Sequence, residues 1–371
     1  QKKTGKIINL VSISAKNKNK RRKFKINKKI FYSDPLKMIS AKKIDIIFEC
    51  IGLSDGISKK VVENAIKNKI HVITPNKALI AEHGEYLSNL AVKNKVNLEF
   101  EASVGGGIPI LRTIKEGLAT NKIHKIYGIL NGTCNYILTE MEKTGDSFKN
   151  VLKKAQDLGY AEPGNPKLDL NGYDTLAKVK ILSALSFNKK ISKSNCLMEG
   201  IEKIDSKDFN MADQLNLRIK LLGITEIINN RLFERVHPCL VKKNTYIANV
   251  SGVMNAVILE GMPVGETVLQ GEGAGPGPTS SALMSDFLSI LRGNIKFPFG
   301  LPSNTRENAR IYDDKNYENS LYLRFEVNDK PGVLSQITKH LAKYKISIQR
   351  LIQIPDNTKK KASIIIITHN V

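Results

Sequence analysis

Between residues 44 and 131, short apolar runs alternate with stretches of helical length: "IDIIFECIG", "SKKVVENAIKNK", "IHVIT", "KALIAEHGEYLSNLAVKN" and "VNLEFEAS". Apolar, β-branched runs without polar alternation suit strands buried on both faces, and helical segments between them suit crossovers that cover those faces. The pattern predicts an α/β, Rossmann-like, doubly wound nucleotide-binding domain over residues 1–125. "KIINLVSISA" reads as the second strand of such a fold, and no G-x-G-x-x-G occurs anywhere. The expectation is therefore a domain lacking its first strand and the glycine loop that cradles a pyrophosphate.

The pattern then changes. Strand-like "KIYGIL" and "TYIANVSGVMNAVILEG" mix with helical periods at 174–187 and 211–222, which predicts an α+β domain over 126–302 built on a larger antiparallel sheet. Residues 285–302 of it are expected to pack back on the first domain. Polar "PSNTRENARIYDDKNYENS" reads as a linker, placed at 303–319. From 320 to 371, "LYLRFEVND", "GVLSQITKHLAKYK", "ISIQRLIQIP" and "KASIIIITHNV" give strand, helix, strand, strand, a partial ferredoxin-like unit that stops one helix and one strand short.

Composition narrows the classes. The 371 residues are 41% hydrophobic, ample for packed cores, yet no stretch reaches the roughly 18–20 apolar residues of a membrane span. Cys50, Cys134, Cys196 and Cys239 form no C-x-x-C pair and have no His cluster beside them, so neither zinc nor a disulfide framework is indicated. With no signal-peptide pattern, a cytoplasmic setting is expected. The net charge of +23 is spread along the chain; only Lys16–Lys29 is a dense run, with Phe24 its lone aromatic. A nucleic-acid binder would interleave stacking aromatics with its basic residues. Neither nucleic acid nor membrane is expected as a partner.

Candidate chemistry concentrates in residues 159–182. Glu162, Asp169 and Asp174 lie on a Gly/Pro/Asn-rich approach to a helix that carries Lys178 one turn in. Part of this is ordinary helix-start chemistry: Asn171 and Asp174 are spaced as N-cap and N3, and Asp174 and Lys178 as an i, i+4 pair. Lys178, however, shares its face with Ile181 and Leu182 on a helix apolar on most sides, and a lysine there needs a reason. Glu162 and Asp169 fall outside the capping positions, in the loop. Carboxylates that hold an ammonium and a desolvated lysine that manages an oxygen's proton suit an amino acid bearing an alcohol or aldehyde.

Together with "GILNGTCNYILTEM" (128–141), "TPNKALIAEHG" (74–84) and "FEASVGGGIPI" (100–110), this stretch resembles the homoserine dehydrogenase family, and the tail resembles its ACT regulatory domain. The resemblance implies reversible, NAD(P)-dependent interconversion of L-homoserine and L-aspartate 4-semialdehyde, on the route to threonine and methionine. It implies Lys178 as proton donor, Asp174 and Asp169 as orienting and substrate-binding groups, and Glu162 on the substrate amino group. Lys77, Ile51, Asn131, Gly132, Thr133 and Gly275 fall at cofactor-binding positions. Glu101, Val104, Gly106 and Ile108 fall where the family holds a monovalent cation, expected to be sodium. Lys16, Lys18 and Lys20, with no acidic residue after the second strand, favour NADP over NAD. The Asp329–Leu334 turn resembles the effector turn of ACT domains, which implies threonine as effector; a homodimer or homotetramer is implied as well. The alternative reading is an inactive, amino-acid-binding regulatory protein on a dehydrogenase scaffold.

Overall fold

Parallel pairing organises the N-terminal part of the computed structural model, in which residues 3–19, 22, 25–164, 166–293, 296–356 and 360–371 are described. Strands β1 (Ile13–Ser14) and β2 (Phe31–Tyr32) form one parallel pair, followed by helix α1 (Pro35–Ala41). Then β3 (Ile46–Phe48), α2 (Ile57–Lys67), β4 (His71–Ile73), α3 (Lys77–Asn94) and β5 (Leu98–Glu99) make a three-stranded parallel sheet in the order β3-β4-β5. The helices form because each presents an apolar stripe: Val61, Val62, Ala65 and Ile66 on α2, and Leu79, Ile80, Leu87 and Ala91 on α3, all buried. A left-handed Lys95 ends α3.

A short helix α4 (Ile110–Arg112) runs into a π-helical turn at Thr113–Gly117. Next come β6 (Lys122–Ile129), α5 (Gly132–Thr144), α6 (Phe148–Asp157), α7 (Lys167–Leu170), α8 (Tyr173–Ser186), β7 (Leu197–Met198) and α9 (Ser206–Gln214). Strands β8 (Leu217–Ile228), β9 (Arg231–Lys242), β10 (Met254–Met262) and β11 (Gly265–Glu272) precede α10 (Pro276–Leu291). They build a six-stranded sheet, β11-β10-β6-β8-β9-β7, antiparallel except for the β7–β9 pair. Helix α8 packs on its face, against β8 and β9.

The expected helix at 211–222 is corrected: α9 stops at Gln214, Asn216 turns left-handed at φ 57°, and residues from Leu217 onward are strand. Leu217, Ile219 and Leu221 alternate with polar residues, and β8 pairs with β9 along its full length from Leu217↔Lys242 to Ile228↔Arg231. That ladder outweighs local helical propensity. Within 245–261, Ile247–Asn249 is a 3-10 turn and strand begins only at Met254.

The chain divides into units 1–311 and 312–371. Part of the expected linker at 303–319 is therefore docked: Arg306 is 2% exposed and pairs bidentately with Glu85 at 2.9 and 2.7 Å. In the second unit β12 (Tyr322–Asn328), α11 (Val333–Lys343), β13 (Ile348–Asp356) and β14 (Lys361–Thr368) form an antiparallel sheet, β12-β14-β13, with Leu341, Ile364 and Ile366 in its core.

Candidate active site

Helix α8 buries Thr175, Val179, Ile181, Leu182 and Leu185 around Lys178, which is itself 8% exposed. A cation so placed must be paired. Its Nζ lies 2.7 Å from Asp174 Oδ2 and donates to the Leu130 carbonyl at 2.6 Å. An ammonium carries three N–H groups, so one remains uncommitted among the described residues. The Leu130 carbonyl is available because β6 ends at Ile129 and α5 begins only at Gly132.

Asp174 is saturated: Oδ2 accepts from Lys178 and, at 2.9 Å, from Asn131 Nδ2, while Oδ1 meets Lys77 Nζ at 2.9 Å. Burial alone would raise the Asp174 carboxyl; the Lys178 and Lys77 ammonium groups outweigh it and hold the acid well below the usual carboxylate range. Asp169 differs. Its Oδ1 accepts from Asn131 Nδ2 at 2.9 Å, and its other oxygen has no donor among the described residues. Burial first, then neighbouring Asp174, pushes Asp169 up. Asp169 stands on α7 rather than in a loop, and α8 is capped by a left-handed Gly172, not by Asn171. The expected capping pair is corrected: Asn171 closes α7, and Asp174 is spent on two lysines instead.

Lys77 opens α3, whose N-cap is Asn76, its Oδ1 accepting from Leu79 N. Asn76 Nδ2 also donates to the Leu53 carbonyl and to Ser58, and buried Glu49 accepts from Ile51 N, Ser58 and Thr74. This network fixes the carboxyl ends of β3 and β4, where doubly wound sheets bind ligands. Burial would lower the Lys77 ammonium; attraction to Asp174 reverses this and raises it. Its side chain stays 41% exposed. Ile51 and Leu53, 41% and 58% exposed, leave apolar surface at the same edge.

The remaining positions are spread around this centre. Glu162 is exposed in the loop before α7, with its carbonyl accepting from Gln156, and close enough to Lys77 to help raise it. Thr133 donates to the Tyr160 carbonyl at 2.6 Å, tying α5 to that loop. Gly132 and Gly273 both crowd Asn255: a Cβ at Gly132 would strike the Val253 carbonyl and one at Gly273 the Asn255 amide. Gly275, at φ 104°, caps α10 and is exposed. A Cβ at Gly106 would strike the Gly273 carbonyl, so the 104–108 turn and the loop before α10 lie against each other.

In that turn Glu101 is buried, its two oxygens accepting from Leu111 N at 2.9 Å and Arg112 N at 2.8 Å. Burial pushes its carboxyl up. Gly105 and Gly106 are both left-handed, which folds the backbone tightly around Val104, Gly106 and Ile108. The Ile108 carbonyl accepts from Ile110 N at 2.8 Å. Sequence reasoning missed Leu130, Glu49, Asn76, Asn255, Gly273 and Asp286. Asp286 accepts from Glu101 N and pairs with Arg112, holding α10 to the first domain. Only Asn76, spaced as a cap before Leu79, carried a local signal.

A parallel α/β sheet whose strand ends meet a buried lysine–carboxylate centre suits a dinucleotide-dependent oxidoreductase. Family models for "Homoserine dehydrogenase, NAD binding domain", "Homoserine dehydrogenase" and "ACT domain" match residues 1–101, 109–288 and 321–371. The homoserine dehydrogenase of Neisseria gonorrhoeae is 42% identical over 347 residues, 92% of this chain and 79% of that protein. A homoserine dehydrogenase structure from Thiobacillus denitrificans superposes with a TM-score of 0.85 at 38% identity, covering 92% of this chain and 79% of that one. A hyperthermophilic archaeal homoserine dehydrogenase in complex with NADPH gives 0.62 at 25% identity, covering 72% and 78%. The chain belongs to the homoserine dehydrogenase family, oxidoreductases acting on a CH–OH group, with an NAD-binding domain and an ACT domain. Among the described residues no helix is long and apolar enough to cross a membrane.

Proposed function

We propose that Lys178, Asp174, Asp169, Glu162 and Lys77 form the centre at which this chain interconverts L-homoserine and L-aspartate 4-semialdehyde. The observation that carries this is buried Lys178, held by Asp174 and the Leu130 carbonyl with one N–H uncommitted, in a centre where Asn131 links Asp174 to Asp169. A bound nicotinamide supplies or accepts the hydride. In the reducing direction Lys178 gives a proton to the carbonyl oxygen as negative charge develops there; in the oxidising direction its amine takes the proton of the alcohol. Asp174 cannot serve as the proton donor, since Lys178 and Lys77 keep it ionised; it orients both lysines. Asp169 and Glu162 attract the substrate ammonium, and Lys77, at the sheet edge, lies between substrate and cofactor. In the intact protein, Lys178→Ala should lower kcat for homoserine oxidation by roughly 10²–10⁴-fold; loss of a buried ion-pair partner lowers the melting temperature as well, so turnover is read well below the variant's own transition. Unchanged turnover in that variant sinks the reading.

The cofactor reading is NADP. After β1 come Lys16 and Lys18 with no acid, and Lys18 and Arg22 reach the Phe31 ring on β2 at 6.0 and 5.8 Å; Lys20 and Phe24 lie outside the described residues. Glu101 with the carbonyls of Val104, Gly106 and Ile108 would hold a sodium ion. In the second unit a hollow of about 410 Å³, lined by Asp329, Lys330, Gly332, Val333, Leu334 and Gln353, is the place for an amino-acid effector, read as threonine. A cytoplasmic homodimer or homotetramer completes the reading.

A further inference from the structure

Residues 130 and 131 gather the whole centre. The Leu130 carbonyl holds Lys178, and the Asn131 side chain, 6% exposed, makes three hydrogen bonds. Its Nδ2 donates to Asp169 Oδ1 and to Asp174 Oδ2, both at 2.9 Å, and its Oδ1 accepts from Cys134 N at 2.8 Å as the N-cap of α5. A carboxamide has two N–H donors and one oxygen, so this amide has no donor left over for a cofactor.

Resting on the site reading above, we propose that Asn131 is a positioning residue that clamps the substrate carboxylate Asp169 to the lysine-orienting carboxylate Asp174. Two neighbouring carboxylates, Asp174 buried and Asp169 half-buried, repel each other. One amide placed between them satisfies an oxygen of each with a charge-assisted bond and leaves the outer oxygen of Asp169 for the substrate ammonium. Because the same amide caps α5, the spacing of the two acids is set by a helix end packed in the core. An ammonium in that place would discharge one acid, and a carboxylate would add a third charge. Asn alone among the good N-caps carries two N–H donors beside its acceptor oxygen.

The cap and the clamp separate by substitution. Ser and Thr are good N-caps, but their single short hydroxyl cannot bridge both acids. Asn131→Ser and Asn131→Thr should fold, with kcat/KM for homoserine lowered roughly 10–100-fold, the range for losing a hydrogen bond to a charged group. Their kcat/KM pH profile should differ from that of the wild type. Asp169 is faced by Asp174 and Lys178 of α8, Lys77 of α3 and Cys134 of α5, and the amide is the donor that favours its ionised form; without it the acid limb moves to higher pH. A merely structural asparagine would lower activity without moving that limb. Lys178→Ala is run beside them. If it collapses while the Ser and Thr variants keep the wild-type profile, the clamp is overturned and the site reading stands. If Lys178→Ala stays active, the centre lies elsewhere and the clamp falls with it. Failure of both variants to fold would make the amide's bonds a folding requirement, not a positioning device, and would also overturn the proposal.

Discussion

Buried lysines in this protein show that a residue's chemistry is set by its neighbours. Lys115 meets Glu99 at 3.4 Å and stays raised although burial opposes its charge. Lys220, 1% exposed on β8, meets only neutral acceptors among the described residues, the Val250 carbonyl at 2.6 Å and Asn135 Oδ1 at 3.3 Å, and burial pulls it down to about 8. The sign follows from linkage. Between about 8 and the ordinary lysine value of 10.5, the folded chain has released this proton while the unfolded chain keeps it, so stability from this group rises with pH there. Below that window the cost of the buried cation is fully present. Lys220→Met should therefore show its most favourable stability difference from wild type near pH 7. That difference should shrink toward pH 10, by up to about 1.4 kcal/mol per pH unit. Urea unfolding across that range checks it, and a constant difference refutes it.

At the scale of elements, glycines decide how closely loops approach. Gly273 ends β11 against the Asn255 amide, and Gly106 lies on Gly273, so the turn that would hold the cation and the loop before α10 share one contact. Gly273→Ala overpacks that contact, which costs about 1–3 kcal/mol, and should raise KM for the nicotinamide cofactor more than it lowers kcat. Gly277, in the first turn of α10, has open space where a Cβ would go; Gly277→Ala should leave both parameters and the unfolding midpoint unharmed. Steady-state kinetics with a thermal melt separates the two. The same scale explains the misread segment at 211–222. A helix period and a strand period overlap for a few residues, and only the β9 partner, which is non-local, selects the strand.

For the whole molecule, the units 1–311 and 312–371 each have a hydrophobic core of their own. Calorimetry should resolve two transitions. Arg306 belongs to the first unit: besides its bidentate pair with Glu85 it donates to the Lys189 carbonyl and stacks 4.6 Å from the Phe299 ring centre. Removing one partner of a buried pair costs about 3–5 kcal/mol. Arg306→Ala should lower the transition of the larger unit alone; a downward shift of the smaller unit's transition would contradict the division.

The sequence by itself determined the elements whose evidence is local. Apolar runs and helical periods marked β3, α2, β4 and α3, and the β-α-β-β order of the tail was legible for the same reason. Lys178 stood out because a lysine on an apolar face contradicts its surroundings, and Glu162, Asp169 and Asp174 because carboxylates clustered before it. Extended motifs in order carried the family. Only the tertiary structure decided the rest, since the deciding contacts join residues far apart in the chain: Lys77 to Asp174, Leu130 to Lys178, Asn131 to Asp169, Glu101 to Asp286. Which oxygen of which acid is saturated, and which N–H of the lysine stays uncommitted, depends on angles and distances that no spacing encodes. The sequence names the reacting groups, and packing divides the work among them.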